Sequence, residues 1–133
     1  MAAFRKPKNV VVATLEAERE LIGKLLQYRL TTPHIVLSEE QVSSSKKFNK
    51  HMLWIESMKD FLMNSISFLS KEYSSIQWNQ IVLLLDIEER KGLGGKRYRL
   101  YKILYENKNL YFILSETAGD LVGYFELLSF PNI

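Results

Sequence analysis

The chain has 133 residues, of which 47% are hydrophobic and 25% charged, and its formal net charge is +3. This composition is typical of one globular domain and argues against a disordered chain. The sequence contains no cysteine, which excludes disulfides and thiolate zinc sites. No apolar run approaches the roughly 20 residues that cross a bilayer. We therefore expect a cytoplasmic protein, with residues 1–9 as a flexible arm and residues 10–133 as a single α+β domain.

Two segments have the apolar periodicity of amphipathic helices. The first runs from about Leu15 to Tyr28, with Thr14 as a candidate N-cap. The second and stronger one runs from Lys46 to about Tyr73. Between the helices, residues 34–37 form either a short strand or an extended connector, and residues 38–41 have the pattern of a capping box.

The C-terminal half has the alternation of strands and the turn residues that separate them. Strands are predicted after the glycines of residues 92–95, over residues 110–115 and over residues 121–128. The apolar run from Ile81 to Ile87 is either a further strand or part of a third helix from Ser75 to Glu89, and we favour the strand. The predicted fold is α+β: two amphipathic helices packed on a C-terminal antiparallel meander of three to four strands.

Basic and aromatic residues concentrate just after the apolar run from Ile81 to Ile87, between residues 90 and 105. In a strand, Arg97, Arg99, Tyr101 and Tyr105 share a face, and cationic groups with planar rings are suited to phosphates and unstacked bases. The alternative is an ordinary solvated face whose arginines pair with nearby glutamates. The candidate nucleic-acid contacts are Arg90, Lys91, Lys96, Arg97, Arg99, Tyr101 and Lys102.

Two more specific hypotheses use the same cluster. In a small metal-independent ribonuclease, Glu88 or Glu89 would act as the base, with Arg97 and Arg99 stabilising the phosphate. In a winged DNA-binding domain, residues 76–85 would form a recognition helix and residues 90–102 a basic wing. The first rests on the general layout alone, and the second leaves the strands after Leu110 unexplained.

The sequence indicates no catalytic, metal or cofactor site. Neither His34 nor His51 lies at a recognisable spacing from a nucleophile. The acidic residues at 86, 88 and 89 are more typical of a solvated strand end than of a metal site. The glycine-rich stretch at residues 92–96 lacks the spacing of a phosphate-binding loop. We therefore predict neither metal nor cofactor.

Apolar residues occupy nearly all sides of the second helix, more than one sheet face would cover. Methionines suit adaptable contacts, and excess apolar surface usually marks a partner. The final strand, residues 121–130, is also a candidate edge for strand addition. The candidate partner contacts are Met52, Trp54, Met58 and Met63.

These patterns predict a non-enzymatic interaction module, a subunit or a dimer, that binds a protein partner and that has nucleic acid as a further candidate partner. The alternative is a small nucleic-acid-binding or ribonuclease-like protein that uses the basic and aromatic sheet face.

Overall fold

The computed structural model describes residues 13–57 and 73–128. In these residues it contains two short helices and seven strands. No helix of these two segments is long and apolar enough to cross a membrane. The elements are α1 (Leu15–Arg19), β1 (Leu25–Tyr28), β2 (His34–Ser38), α2 (Ser45–Ser57), β3 (Ser74–Ile76), β4 (Ile81–Lys91), β5 (Arg97–Tyr105), β6 (Lys108–Ser115) and β7 (Phe125–Leu127).

The strands form a single curled antiparallel sheet, a half-barrel, in the order β3-β2-β6-β5-β4-β1-β7. Strands β4, β5 and β6 follow one another as a meander joined by tight loops. Strand β7 does not extend that meander. The chain instead crosses to the other end of the strand order, where β7 pairs with β1. Strands β3 and β7 are therefore the two edge strands.

The predicted arrangement of two amphipathic helices on a three- to four-stranded meander is wrong. The first helix begins as predicted, since the Thr14 side chain accepts a hydrogen bond from the Ala17 amide, but it ends at Arg19. Gly23 then adopts a φ of 90°, which reverses the chain into β1. Within β1, Leu26 pairs with Val82 on one side and Leu127 on the other, so sheet pairing overrides helical periodicity there.

The segment between the helices matches its local signals. The Ser38 amide donates to Gln41 Oε1 and the Gln41 amide donates to Ser38 Oγ, as a capping box requires. The turn does not continue into a helix, and α2 begins only at Ser45. Residues 34–38 form β2, which settles the choice between strand and connector in favour of the strand. The predicted continuation of α2 through residues 58–72 lies outside the described residues.

The ambiguous run from Ile81 to Ile87 is a strand, and the alternative of a third helix is wrong. The register of β4 against β5 shifts between Leu84 and Asp86. This bulge lets Val82 and Leu84, before it, and Ile87, after it, all join the same core cluster. The irregular spacing of these buried positions explains why period-2 alternation is not visible along the whole strand.

Two apolar clusters lie on opposite sides of the sheet. The inner cluster fills the concave side and includes Tyr28, Tyr101 and Phe112, with Leu15 of α1 and Leu21 just after it packed against it. The outer cluster lies between the sheet and α2 and is centred on Phe48, whose ring meets Tyr98 edge-on at 5.3 Å. Strand β5 therefore contributes alternate residues to both cores.

Candidate functional site

The predicted basic and aromatic surface is divided between the two sides of the sheet. Along β5, Arg97, Arg99, Tyr101 and Tyr105 do share a side, as expected from strand alternation. That side is the concave one, and the Tyr101 side chain within it is only 1% exposed. The ring of Tyr101 is therefore packed in the core and is not presented to solvent.

A buried carboxylate on α1 accepts hydrogen bonds from residues on the concave side of the sheet. Glu18 is 2% exposed, and its Oε1 atom accepts hydrogen bonds from Arg99 Nη1 at 2.7 Å and from the Tyr101 hydroxyl at 2.5 Å. Its Oε2 atom accepts from the Leu121 amide at 2.8 Å. The second guanidinium nitrogen of Arg99 donates to Glu89 at 2.9 Å. Glu18 thus ties α1 to β5 and to the turn before β7.

The same contacts raise the pKa values of Tyr101 and Arg99. Burial raises the pKa of Tyr101, and the hydrogen bond to Glu18 raises it further. Burial works against the charged form of Arg99, but hydrogen bonds to Glu18 and Glu89 outweigh it and raise the Arg99 pKa. Arg99 Nη1 also donates to the Ala13 carbonyl. With three acceptors around it, the Arg99 guanidinium stabilises the fold rather than an open anion site.

Three of the other predicted cations lie next to an acid. Arg90 contacts Glu88 at 2.7 Å, donates to the Val42 carbonyl and lies over the Phe48 ring at 5.1 Å. The remaining two pairs are Lys96 with Glu56 at 2.9 Å and Lys102 with Glu39 at 3.2 Å. Local acids therefore compensate most of the positive charge of the cluster.

Lys91 and Arg97 differ from the rest of the cluster. They lie directly opposite one another in the β4–β5 ladder, and both are exposed. Neither side chain makes an ion pair or hydrogen bond within the part of the chain that the structure describes. Like charges at opposed positions repel one another, so this pair is the part of the cluster best placed to meet an external anion.

The residues of the ribonuclease hypothesis are only partly brought together. Glu89 lies opposite Arg99 in the ladder and pairs with it, whereas Glu88 pairs with Arg90 on the side that α2 covers. The winged-domain hypothesis is wrong, because residues 76–85, which it assigns to a recognition helix, form the end of β3, a turn and the start of β4. The two histidines lie elsewhere: His34 stacks against Phe112 at 4.2 Å, and His51 Nδ1 is 2.8 Å from the Tyr73 hydroxyl.

The predicted partner contacts on α2 have different surroundings. Met52 packs against the outer cluster and lines an apolar cavity beside β2 and β6. Trp54 stacks on Tyr73 with ring centroids 5.4 Å apart. The other two predicted contacts, Met58 and Met63, lie outside the described residues.

One feature of the sheet was not identified from the sequence. On its outer side, Leu25, Leu83 and Leu104 are directly cross-strand neighbours, and the Leu128 amide donates to the Leu25 carbonyl at 3.0 Å. These residues form a leucine row that runs over β1, β4 and β5 and continues at Leu128, the residue after β7. Because each strand contributes one residue, the row leaves no signal in any local stretch of sequence.

The sequence predicted that the final strand is an edge for strand addition, and among the described residues β7 is an edge strand. The Tyr124 carbonyl accepts from the Arg29 amide and the Leu128 amide donates to Leu25, so these residues face β1. Backbone groups in an antiparallel strand alternate in direction, so the N–H and C=O groups of Phe125 and Leu127 point to the outer edge. Strand order places no further strand there among the described residues.

Comparison of the chain with models of protein families, with curated proteins and with solved structures finds no match.

Proposed function

We propose that this chain is a non-enzymatic interaction module that binds a protein partner by pairing the open edge of β7 with a strand of that partner. The proposed partner is a second copy of the chain. The observation that carries the proposal is the outward direction of the Phe125 and Leu127 backbone groups. A cytoplasmic location, expected from the sequence, is part of the proposal.

The composition of β7 supports this use. Exposed edges are commonly protected by lysine, proline, a bulge, a charged side chain or a short strand, and the three-residue strand Phe-Glu-Leu has only the last two of these. Leu127 lies opposite Leu26 of the inner core, yet it is 45% exposed because nothing described covers it from the edge. A strand added beside β7 would cover this side chain as well as bind the backbone groups.

A two-fold axis beside Leu127 gives a workable register. Antiparallel pairing of Leu127 with its own copy satisfies the outward N–H and C=O groups reciprocally, as in other isologous contacts. This register also keeps Glu126 away from Glu126 of the second copy, which avoids like charges directly opposite one another. Glu126 retains its ion pair with Arg29 at 3.3 Å.

Sedimentation equilibrium over a range of concentrations tests the proposal. We expect the wild-type chain to form a dimer and Leu127→Pro to be monomeric, since proline removes the outward N–H without touching the ladder to β1. The matched control is Leu127→Ala, which shortens the side chain but keeps the N–H and so still dimerises. Circular dichroism checks that each variant remains folded.

A wild-type chain that stays monomeric at all concentrations would overturn the choice of partner. A dimer that survives Leu127→Pro but dissociates in Leu104→Lys would instead assign the contact to the leucine row and refute the role of the β7 edge.

A second candidate function is nucleic-acid binding, favoured by the uncompensated pair of Lys91 and Arg97. The probe is a single-stranded oligouridylate, followed by fluorescence anisotropy at several salt concentrations. Replacing both residues with alanine should lower the salt slope by about 1.4, because each single-strand phosphate contact contributes roughly 0.7. The double variant Lys46→Ala, Lys50→Ala removes the same charge from exposed positions of α2 and should leave the slope unchanged. Equal slopes for both double variants would refute this candidate.

A further inference from the structure

An apolar cavity of about 270 Å³ lies at the end of the sheet where β2 begins and β6 finishes, and it is lined by residues of α2 and of both sides of the sheet. It lies mainly on β2 and β6, in the half of the sheet opposite the β7 edge, and Tyr124, the residue before β7, also lines it. Aliphatic side chains supply much of its wall, notably Ile35, Leu37, Met52, Ile55 and Ile113. An apolar cavity of roughly 150 Å³ accommodates benzene, so this one has room for a bicyclic ring system.

Glu56 is the one carboxylate that lines the cavity, and Thr32, His34, Tyr98 and Ser115 are other lining residues with polar side chains. Glu56 Oε2 accepts hydrogen bonds from Lys96 Nζ at 2.9 Å and from the Tyr98 hydroxyl at 3.0 Å. Among the described residues no group donates to Glu56 Oε1, and because the Glu56 side chain is 38% exposed, this oxygen is accessible both to water and to a donor at the cavity. Lys96 balances the carboxylate charge locally, so the site does not call for a charged ligand.

Two more aromatic rings border the cavity. His34 and Tyr124 both line it, and their rings are 5.6 Å apart in an edge-on arrangement. His34 is held from behind by Phe112, with centroids 4.2 Å apart. Rings fixed in this way favour a flat aromatic guest by edge and face contacts.

We propose that this cavity binds a neutral, planar, bicyclic aromatic molecule that carries one N–H donor, with the donor directed at Glu56. Indole is the simplest member of this class and is the probe for the test. The apolar wall supplies most of the binding, and the Glu56 carboxylate selects for the donor.

Titration of isotope-labelled protein with indole and with 1-methylindole, followed by NMR, tests the proposal. Indole should bind saturably and roughly tenfold or more tightly than 1-methylindole, which lacks the donor, because a hydrogen bond to a charged group has about that effect. Glu56→Ala should abolish this preference while the affinity for 1-methylindole stays within a few-fold of its original value.

The location is tested by filling the cavity. Met52→Trp places a large side chain in it and should eliminate indole binding. Leu53→Trp makes the same change at the next residue, which is 60% exposed and does not line the cavity, and should bind as the wild type does. Lack of saturable indole binding to the wild type, equal affinity for the two probes, or equal loss in both tryptophan variants would each overturn the proposal.

Discussion

Removal of the Glu18 side chain should destabilise this protein far more than removal of any exposed acid. Glu18→Ala leaves the half-buried Arg99 with Glu89 as its remaining carboxylate, and it leaves the Tyr101 hydroxyl and the Leu121 amide without their acceptor. Breaking one side of a buried ion pair costs about 3–5 kcal/mol. This is a large part of the 5–15 kcal/mol that typically separates folded from unfolded domains.

The expected loss can be measured by thermal unfolding. For 133 residues, an unfolding entropy of about 2.1 cal/mol/K per residue gives roughly 0.28 kcal/mol/K, so the melting temperature should fall by about 11–18 °C. Glu16→Ala is the matched control, since Glu16 lies in the same first turn but is exposed. Its loss should cost only about 0.3–1 kcal/mol through the helix dipole.

A milder substitution keeps the experiment informative if the alanine variant does not fold. Glu18→Gln keeps the size and one acceptor oxygen but removes the charge, and its melting temperature should lie between those of Glu18→Ala and the wild type. Equal melting temperatures for Glu18→Ala and Glu16→Ala would refute the claim that this carboxylate holds α1 to the sheet.

Three further predictions concern stability. Burial raises the pKa of Tyr28 to about 12, and the folded protein therefore holds this proton more tightly than the unfolded chain, whose tyrosines titrate near 10. Stability present below pH 10 should be lost as the pH rises towards 12, and Tyr28→Phe should make that loss less steep in circular dichroism; an identical pH profile would contradict this. Gly92→Ala should cost about 1–3 kcal/mol in urea unfolding, because its Cβ would lie 2.6 Å from Tyr98 Cε2, whereas Gly123→Ala meets open space and should be nearly neutral. Glu106 has a φ of 53° in the β5–β6 turn, so Glu106→Asn should raise the free energy of unfolding by roughly 1 kcal/mol. An unchanged urea midpoint would show that the turn carries no strain.

The sequence predicts local features of this fold better than its architecture. Caps at Thr14 and Ser38 were identified because a side-chain oxygen and an amide three residues later suffice to form them. The β5–β6 hairpin was identified because its alternation and its turn are contiguous in sequence. Such signals involve only neighbouring residues, so a single sequence contains them.

The errors occur where distant pairing decides the structure. Leu25, Leu26 and Tyr28 fit a helical stripe, but β4 and β7 lie on either side of them and supply sheet partners instead. Long-range contacts also decide the surroundings of Arg99 and Tyr101. Alternation placed Arg99 and Tyr101 on one side of β5, but only the curl of the sheet and the position of Glu18 turn that side inward.

The open edge of β7 also depends on long-range pairing. The sequence indicated a strand near residues 121–130 and an edge for strand addition, but not that β1 would be its neighbour. The direction of each backbone group follows only once that neighbour and its register are known. The apolar cavity likewise combines residues from α2, β2 and β6 that no periodic pattern connects.

Amide hydrogen exchange at Leu127, measured as a function of protein concentration, distinguishes a β7 edge that pairs with a second copy from one that stays open to water. If β7 pairs with a second copy, the outward Leu127 amide should become protected as concentration rises, whereas the Glu126 amide, which faces β1, should be protected throughout. A Leu127 amide that exchanges as fast as an exposed one at every concentration would show that this edge binds no second copy.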